Sequence, residues 1–368
     1  MGRRRACAEQ MLDLCLTLAE NCHRELTRKI GHYAGRVPLI ELRLDCLKDP
    51  RLPEIPQDST TQFLATNRPL RQGGYFKGSE KERLDFLFSA AEQGCRWIDL
   101  ESDVVTDRDL PVETLVIRSF HSFGGFLPEL EKVLEDLRSQ GGDVYKIALQ
   151  VSTTEELKRL LLWMETLPRH IQRVVIGMGA LGQPSRLLGR FLGNIWTYVS
   201  AAEEDPVAPG QFSLESARKL YRISEWKSVP DLYGIISGDA ADHLLSVKIH
   251  NRLFSYYNQE ALLLPLQLDD LEPWFGYMEA TGLPFRGLAV AEPFESRVRA
   301  FLTAEPTPDI PIDTLKRESG QWIGKNTHRE TPFAESDDSL VIEQAAEQFL
   351  LWTGIDPDRS LIKEILDA

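Results

Sequence analysis

Cysteine is scarce in this chain, long apolar runs are absent, and positive charge is outnumbered. The five cysteines among 368 residues, Cys7, Cys15, Cys22, Cys46 and Cys95, all lie in the first third, and none forms a C-x-x-C pair. An odd number without ligand spacing argues against a disulfide framework or a zinc site, and predicts free thiols in a reducing, cytoplasmic setting. No metal is expected. No stretch of about 18 apolar residues exists, so no membrane-spanning helix is predicted. The opening MGRRRACAEQMLDLCLTL carries a basic cluster, but Glu9 and Asp13 interrupt any signal-peptide core, and Ala6 stands where myristoylation would want Ser or Thr. Lysine and arginine number 42 against 56 acidic residues, a net charge of -14. Such a field repels nucleic acid and anionic membranes, so neither is expected as a partner. An anionic small-molecule substrate would need local arginines.

What is present reads as a globular α/β chain. A hydrophobic content of 42% with 27% charged residues suffices for a real core. The length suits one (β/α)8 barrel of about 250 residues plus a smaller unit. Leu12 to Leu18, Pro38 to Arg43, Gln62 to Thr66, Trp97 to Glu101, Leu115 to Phe120, Asp143 to Leu149, Arg173 to Gly177 and Ile195 to Val199 are strand-like. Ser79 to Gln93, Glu129 to Ser139 and Thr154 to Glu165 show helical spacing of apolar residues. Eight strands are the count that closes a TIM barrel, whose active site lies at the C-terminal strand ends. Arg43, Arg68, His121, Lys146 and Arg186 would gather there.

Two neighbouring segments carry the chemistry, LVIRSFHSFGGFLP (Leu115 to Pro128) and GGDVYKIALQ (Gly141 to Gln150). A lysine inside a buried strand is costly, because leaving water disfavours its charged form. A desolvated amine can condense with a ketone to a Schiff base, and a histidine one strand away can move protons. From these residues alone a blander reading stays open, in which Lys146 snorkels from a strand end and His121 is a satisfied turn histidine. Gly177, Gly179 and Gly182 spell G-x-G-x-x-G, a weak match in a barrel loop, and dinucleotide binding is not expected there.

SFHSFGGFLP resembles the S-[YF]-H-x-F-x-x-x-P segment of type I 3-dehydroquinate dehydratases, and GGDVYKIA resembles that family's Schiff-base lysine strand. IELRLD (Ile40 to Asp45), TNRPLRQGGYFKG (Thr66 to Gly78), WIDLE (Trp97 to Glu101), MGALGQPSR (Met178 to Arg186) and APGQ (Ala208 to Gln211) follow in the family's order, over roughly Met11 to Ser224. The resemblance implies conversion of 3-dehydroquinate to 3-dehydroshikimate and water, in the shikimate pathway, without a cofactor. Lys146 would form the Schiff base and His121 would act as base and then acid. Glu41, Arg43, Arg68, Arg186 and Gln211 would bind substrate, Arg186 by clamping its carboxylate. A homodimer is a further expectation. Another Schiff-base lyase on the same barrel is the rival reading. Two positions depart from the family pattern: Gln72 stands where a glutamate commonly orients the histidine, and Val207 where the lid loop commonly has serine.

After Ser224, with EWKSVP (225–230) as linker, a second domain (231–368) is expected. DLYGIISGDAADHLLSVKIHNRLF resembles the opening of shikimate dehydrogenase, LAVAEPFE its N-V-T-x-P-x-K segment, GQWIGKNTH its G-x-x-x-G-x-N-T-D segment and EQAAEQFLLWTG its C-terminal helix. The catalytic lysine of that family aligns with Glu295, its partner aspartate with His328, and the first serine of S-x-S with Leu244. About a dozen residues separate His328 from Val341, too few for a nucleotide-binding unit of about 30-residue βαβ repeats. The expectation is a smaller α/β domain, degenerate and lacking the NADP-binding part. It would serve structure or interaction, or bind a small ligand through Ser246, Asn326, Thr327 and Gln344. A bifunctional dehydratase and dehydrogenase is the alternative.

Overall fold

The computed structural model describes residues 12–49, 51–105, 108–202, 208, 210–238, 244–303, 311–327 and 337–367. By contact clustering the chain divides into two compact units, one of Met1–Ser152 and Trp163–Ser224, the other of Thr153–Leu162 and Glu225–Ala368.

The first unit is a curled, parallel sheet. Its strands are β1 (Leu14–Leu18), β2 (Leu39–Arg43), β3 (Gln62–Thr66), β4 (Trp97–Glu101), β5 (Leu115–Ser122), β6 (Val144–Gln150), β7 (Arg173–Met178) and β8 (Thr197–Ser200), with a two-residue β9 (Phe212–Ser213) beside β8. They lie in the order β7-β6-β5-β4-β3-β2-β1-β8-β9. The pairing of β1 with β8 and a single parallel bridge from Arg173 to Asn194 bring the two ends together as a barrel. β1, β4 and β7 are buried along their whole length, as strands covered on both faces must be. Apolar side chains from across the sheet, including Leu39, Leu64, Ile117, Val144 and Val174, form one core with Trp97 and Trp196, whose rings meet edge to face at 5.5 Å.

Helices α1 (His23–Tyr33), α2 (Glu80–Glu92), α3 (Leu130–Ser139), α4 (Thr154–Thr166) and the single-turn α5 (Pro184–Leu188) follow β1, β3, β5, β6 and β7. The strict strand–helix alternation is broken after β2 and after β4, where the described connections carry no longer helix. Pro53 and Pro56 in the first and Pro111 in the second lack the N–H a helix interior needs. Where a helix does form, its start is written locally. Ser79 caps α2 by accepting from the Glu82 N–H while the Glu82 carboxylate accepts from Ser79 N–H, a full capping box.

The second unit has a five-stranded mixed sheet in the order β11-β10-β12-β13-β14: β10 (Asp231–Ser237), β11 (Ala261–Gln267), β12 (Phe285–Val290), β13 (Thr314–Glu318) and β14 (Gln321–Lys325). β10 runs parallel to β11 and β12, whereas β13 and β14 are antiparallel. Ser319 and Gly320, both with positive φ, make the two-residue turn that joins the last two strands. Its helices are α6 (Leu244–Tyr256), α7 (Leu271–Ala280), α8 (Asp337–Thr353) and α9 (Arg359–Asp367). No helix among the described residues is long and apolar enough to cross a membrane.

Candidate active site

A cavity of about 270 Å³ in the first unit is lined by Glu41, Arg43, Arg68, Gln72, His121, Lys146, Arg186 and Gln211, together with Thr17, Tyr75, Phe123, Met178 and Tyr198. Every residue that sequence reasoning placed in the dehydratase site, apart from Val207, is therefore on one wall or another. Val207 lies outside the described residues.

Strand register explains the gathering. Ser119 on β5 pairs with Lys146 on β6, and His121 pairs with Ala148. Alternation then puts His121 on the same inner face as Lys146, one pleat nearer the strand ends. Lys146 is 6% exposed. Its Nζ lies 3.4 Å from Asp99 Oδ2, 3.7 Å from Glu41 Oε1 and 4.2 Å from the centre of the Tyr198 ring. Two carboxylates and an aromatic face thus offset the loss of water around the ammonium. The snorkelling alternative fails on this geometry, since the amine points into the barrel.

Each carboxylate is held in turn. Thr17 Oγ1 and Thr66 Oγ1 donate to the two oxygens of Glu41 at 2.9 and 2.8 Å. Arg68 donates through Nη1 and Nη2 to both oxygens of Asp99 at 3.1 and 2.6 Å, and through Nη1 also to Glu101 Oε1 and Ser119 Oγ. Arg68 thus lines the cavity with its guanidinium bonded to Asp99, on the lysine side. Arg43 makes a bidentate pair with Asp45 at 3.0 and 2.8 Å.

His121 is kept neutral. Burial and the positive charges of Arg68 and Lys146 hold its pKa well below the ordinary imidazole value, with Asp99 opposing them. Its Nδ1 is enclosed and has no hydrogen-bond partner among the described residues. Gln72 does not orient the ring as a glutamate might. Its Oε1 instead accepts from the His121 backbone N–H at 3.1 Å, so the side chain fixes the strand. The turn that carries Gln72 needs its glycines: a Cβ on Gly74 would lie 2.0 Å from the Arg68 carbonyl oxygen, and one on Gly73 would lie 2.3 Å from the Phe123 ring.

Arg186 enters from α5 and is buried, which pushes its guanidinium down to about 10. A cation so poorly solvated favours an anionic ligand. Gln211 closes a small loop, its Oε1 accepting from the Ala208 N–H at 3.2 Å. Among the described residues no cluster of histidine, cysteine and carboxylates could hold a metal ion. Sequence reasoning missed Asp99 and Glu101, although WIDLE was singled out. Two acidic side chains, at alternate positions of an otherwise apolar strand, share the inner face; that spacing was the available signal.

Of the four residues expected of a second-unit pocket, two meet on one buried carboxylate. Thr327 donates through N and Oγ1, and Gln344 through Nε2, to the buried carboxylate of Asp313 at 2.9 to 3.2 Å. Ser246 lies against His250 on its own helix at 3.3 Å, and Asn326 is exposed. Glu295 is described, whereas His328 lies outside the described residues. The H-N pair of the shikimate dehydrogenase-like segment is structural: His250 is fully buried, and Asn251 exchanges two hydrogen bonds with the Leu263 main chain at 2.8 and 2.9 Å.

Residues 341–366 match the family described as "Shikimate 5'-dehydrogenase C-terminal domain". The chain is similar to the "3-dehydroquinate dehydratase" of Methanocaldococcus jannaschii, 28% identical over 223 residues, covering 58% of this chain and 100% of that one. It is similar to the "Shikimate biosynthesis protein AroDE" of Chlamydia trachomatis serovar D, 27% identical over 337 residues, covering 87% of this chain and 66% of that one. It is also similar to the "Bifunctional 3-dehydroquinate dehydratase/shikimate dehydrogenase, chloroplastic" of Arabidopsis thaliana, 29% identical, covering 81% of this chain and 51% of that one. The chain therefore spans only about half to two thirds of the two longer relatives. Residues 14–228, more than half of the chain and all of the cavity, match the family described as "Type I 3-dehydroquinase", and the chain belongs to that family.

Proposed function

We propose that the chain dehydrates 3-dehydroquinate to 3-dehydroshikimate through a Schiff base on Lys146. The observation that carries the reading is a buried lysine amine, flanked by Asp99 and Glu41, sharing a cavity with a histidine whose environment keeps it neutral. The amine adds to the ring ketone and one water leaves, giving an iminium. This cation draws electrons from the adjacent carbon and so acidifies its C–H. Neutral His121 takes that proton as base and returns it to the departing hydroxyl as acid, so the elimination releases a second water. Water then hydrolyses the iminium and frees Lys146, for a net loss of one water from the substrate.

Arg186 would hold the substrate carboxylate, because it lines the cavity and a planar guanidinium offers two parallel donors. Glu41, Arg43 and Gln211 would hold hydroxyls, while Arg68 would act through Asp99. The second unit, residues 231–368 after the 225–230 linker, we read as non-catalytic. Glu295 and His328 replace the expected lysine and acid, Thr327 and Gln344 are drawn into the protein's own hydrogen bonds, and the 328–341 interval is too short for a dinucleotide fold.

The test is covalent trapping. Borohydride reduction with 3-dehydroquinate should leave a mass adduct on Lys146 and inactivate the protein, and Lys146→Ala should lose both adduct and turnover. Full turnover by Lys146→Ala would rule out the covalent route.

A further inference from the structure

Arg83 has no part in the reaction as derived above, yet its guanidinium is among the largest groups wholly enclosed in the molecule, with 0% exposure. A charge in such a place needs compensation. It sits in the first turn of α2, where Nη1 lies 2.8 Å from Glu101 Oε2 and donates to the Asn67 carbonyl at 2.7 Å. Asn67 Nδ2 donates back to the Arg83 carbonyl at 3.0 Å, and Nε and Nη2 of Arg83 reach Glu80 at 3.0 and 2.7 Å. The helix is thereby clasped to the residue that precedes Arg68.

The contacts continue inward as alternating charges. Glu101, 0% exposed, gives its other oxygen to Arg68 Nη1 at 2.9 Å. Arg68 forks onto Asp99, and Asp99 Oδ2 faces Lys146 Nζ at 3.4 Å. Arg83, Glu101, Arg68, Asp99 and Lys146 thus form one line, ending at the reactive amine. We propose that Arg83 is a positioning residue for Lys146: it fixes Glu101, which keeps Arg68 shared between two carboxylates and leaves Asp99 oriented toward the amine.

Burial raises the Glu101 pKa, while Arg68 and Arg83 lower it and Asp99 raises it; Arg118 on β5 is a further cation facing it. Losing the Arg83 charge would therefore let Glu101 take up a proton as pH falls. A protonated Glu101 releases Arg68, which then closes on Asp99 alone and weakens the hold on Lys146. This inference rests on the Schiff-base reading of Lys146.

Steady-state kinetics with 3-dehydroquinate across pH test it, on the full chain checked for native circular dichroism. Arg83→Met should lower kcat about tenfold, the size of a coupling within one charge network, with KM nearly unchanged. Its kcat should also rise with pH along a new ionisation that the wild type lacks. Arg83→Lys should restore kcat and abolish that step, and Arg83→Met combined with Glu101→Gln should lose the step. If Arg83→Met does not fold, Glu101→Gln carries the test, with lowered kcat and no added ionisation. Wild-type kcat and pH profile in Arg83→Met or Glu101→Gln, or a loss that Arg83→Lys does not repair, would overturn the inference alone. Absence of turnover and adduct in the wild type would sink the Schiff-base reading and this inference with it.

Discussion

At the scale of single residues, charge placement decides what Lys146 and His121 can do. Asp99 and Glu41 face the Lys146 amine and fix its place in the barrel, while burial, Arg68 and Lys146 keep protons off the His121 ring, the arrangement on which the proposed Schiff-base and base roles rest. Gln72 is the residue where a glutamate was expected, and its contact is with the His121 main chain. Gln72→Glu retains an acceptor for that N–H and adds a negative charge near the imidazole. An added anion raises a depressed histidine pKa, so the acidic limb of kcat/KM, which reports protonation of the base, should move to higher pH. A pH–rate profile checks this, and an unmoved limb would show that the side chain does not sense the ring.

At the scale of elements, polar residues of the second unit's helices bond its sheet. On α8, Gln344, Gln348 and Trp352 recur every four residues and bond Asp313 and the first two residues of β13, Thr314 and Leu315. Such spacing puts three donors on one helical face. Against the same helix sits His250 of α6, its ring 5.0 Å from that of Trp352. Burial lowers the His250 pKa to about 4. An unfolded histidine protonates near 6.5, so stability from the neutral ring is complete above that pH and falls away as pH drops toward about 4, a loss of about 3 kcal/mol. Urea midpoints measured from pH 7 to 4 should fall less steeply in His250→Leu than in the wild type. Parallel slopes would mean that His250 protonates equally in both states.

At the scale of the whole molecule, a dehydratase-family barrel precedes a sheet domain whose C-terminal segment matches a shikimate dehydrogenase family. On the proposed reading of the second unit, the full chain should neither oxidise shikimate with NADP nor bind NADP, because hydride transfer needs a cofactor and the 328–341 interval is shorter than a dinucleotide-binding unit. Saturable NADP binding by calorimetry would reverse this and return attention to the Gly177 loop.

The barrel strands were legible in the sequence as apolar runs of strand length, whereas Lys146 and His121 were singled out only when the resemblance to the dehydratase family was added to the cost of a lysine inside such a run. Strand ends followed from the same periodicity. The partners of those residues were not legible. Asp99 and Glu101 are held by Arg68 and Arg83, which come from other stretches of the chain, and Gln72 reaches the main chain of His121 from 49 positions away. Thr327 and Gln344, offered by the sequence for either a ligand or a structural role, both bond the buried Asp313. Sequence spacing sets which face a side chain takes within its own element, whereas contacts between Asp99 and Lys146, 47 positions apart, exist only once the barrel brings separate strands together.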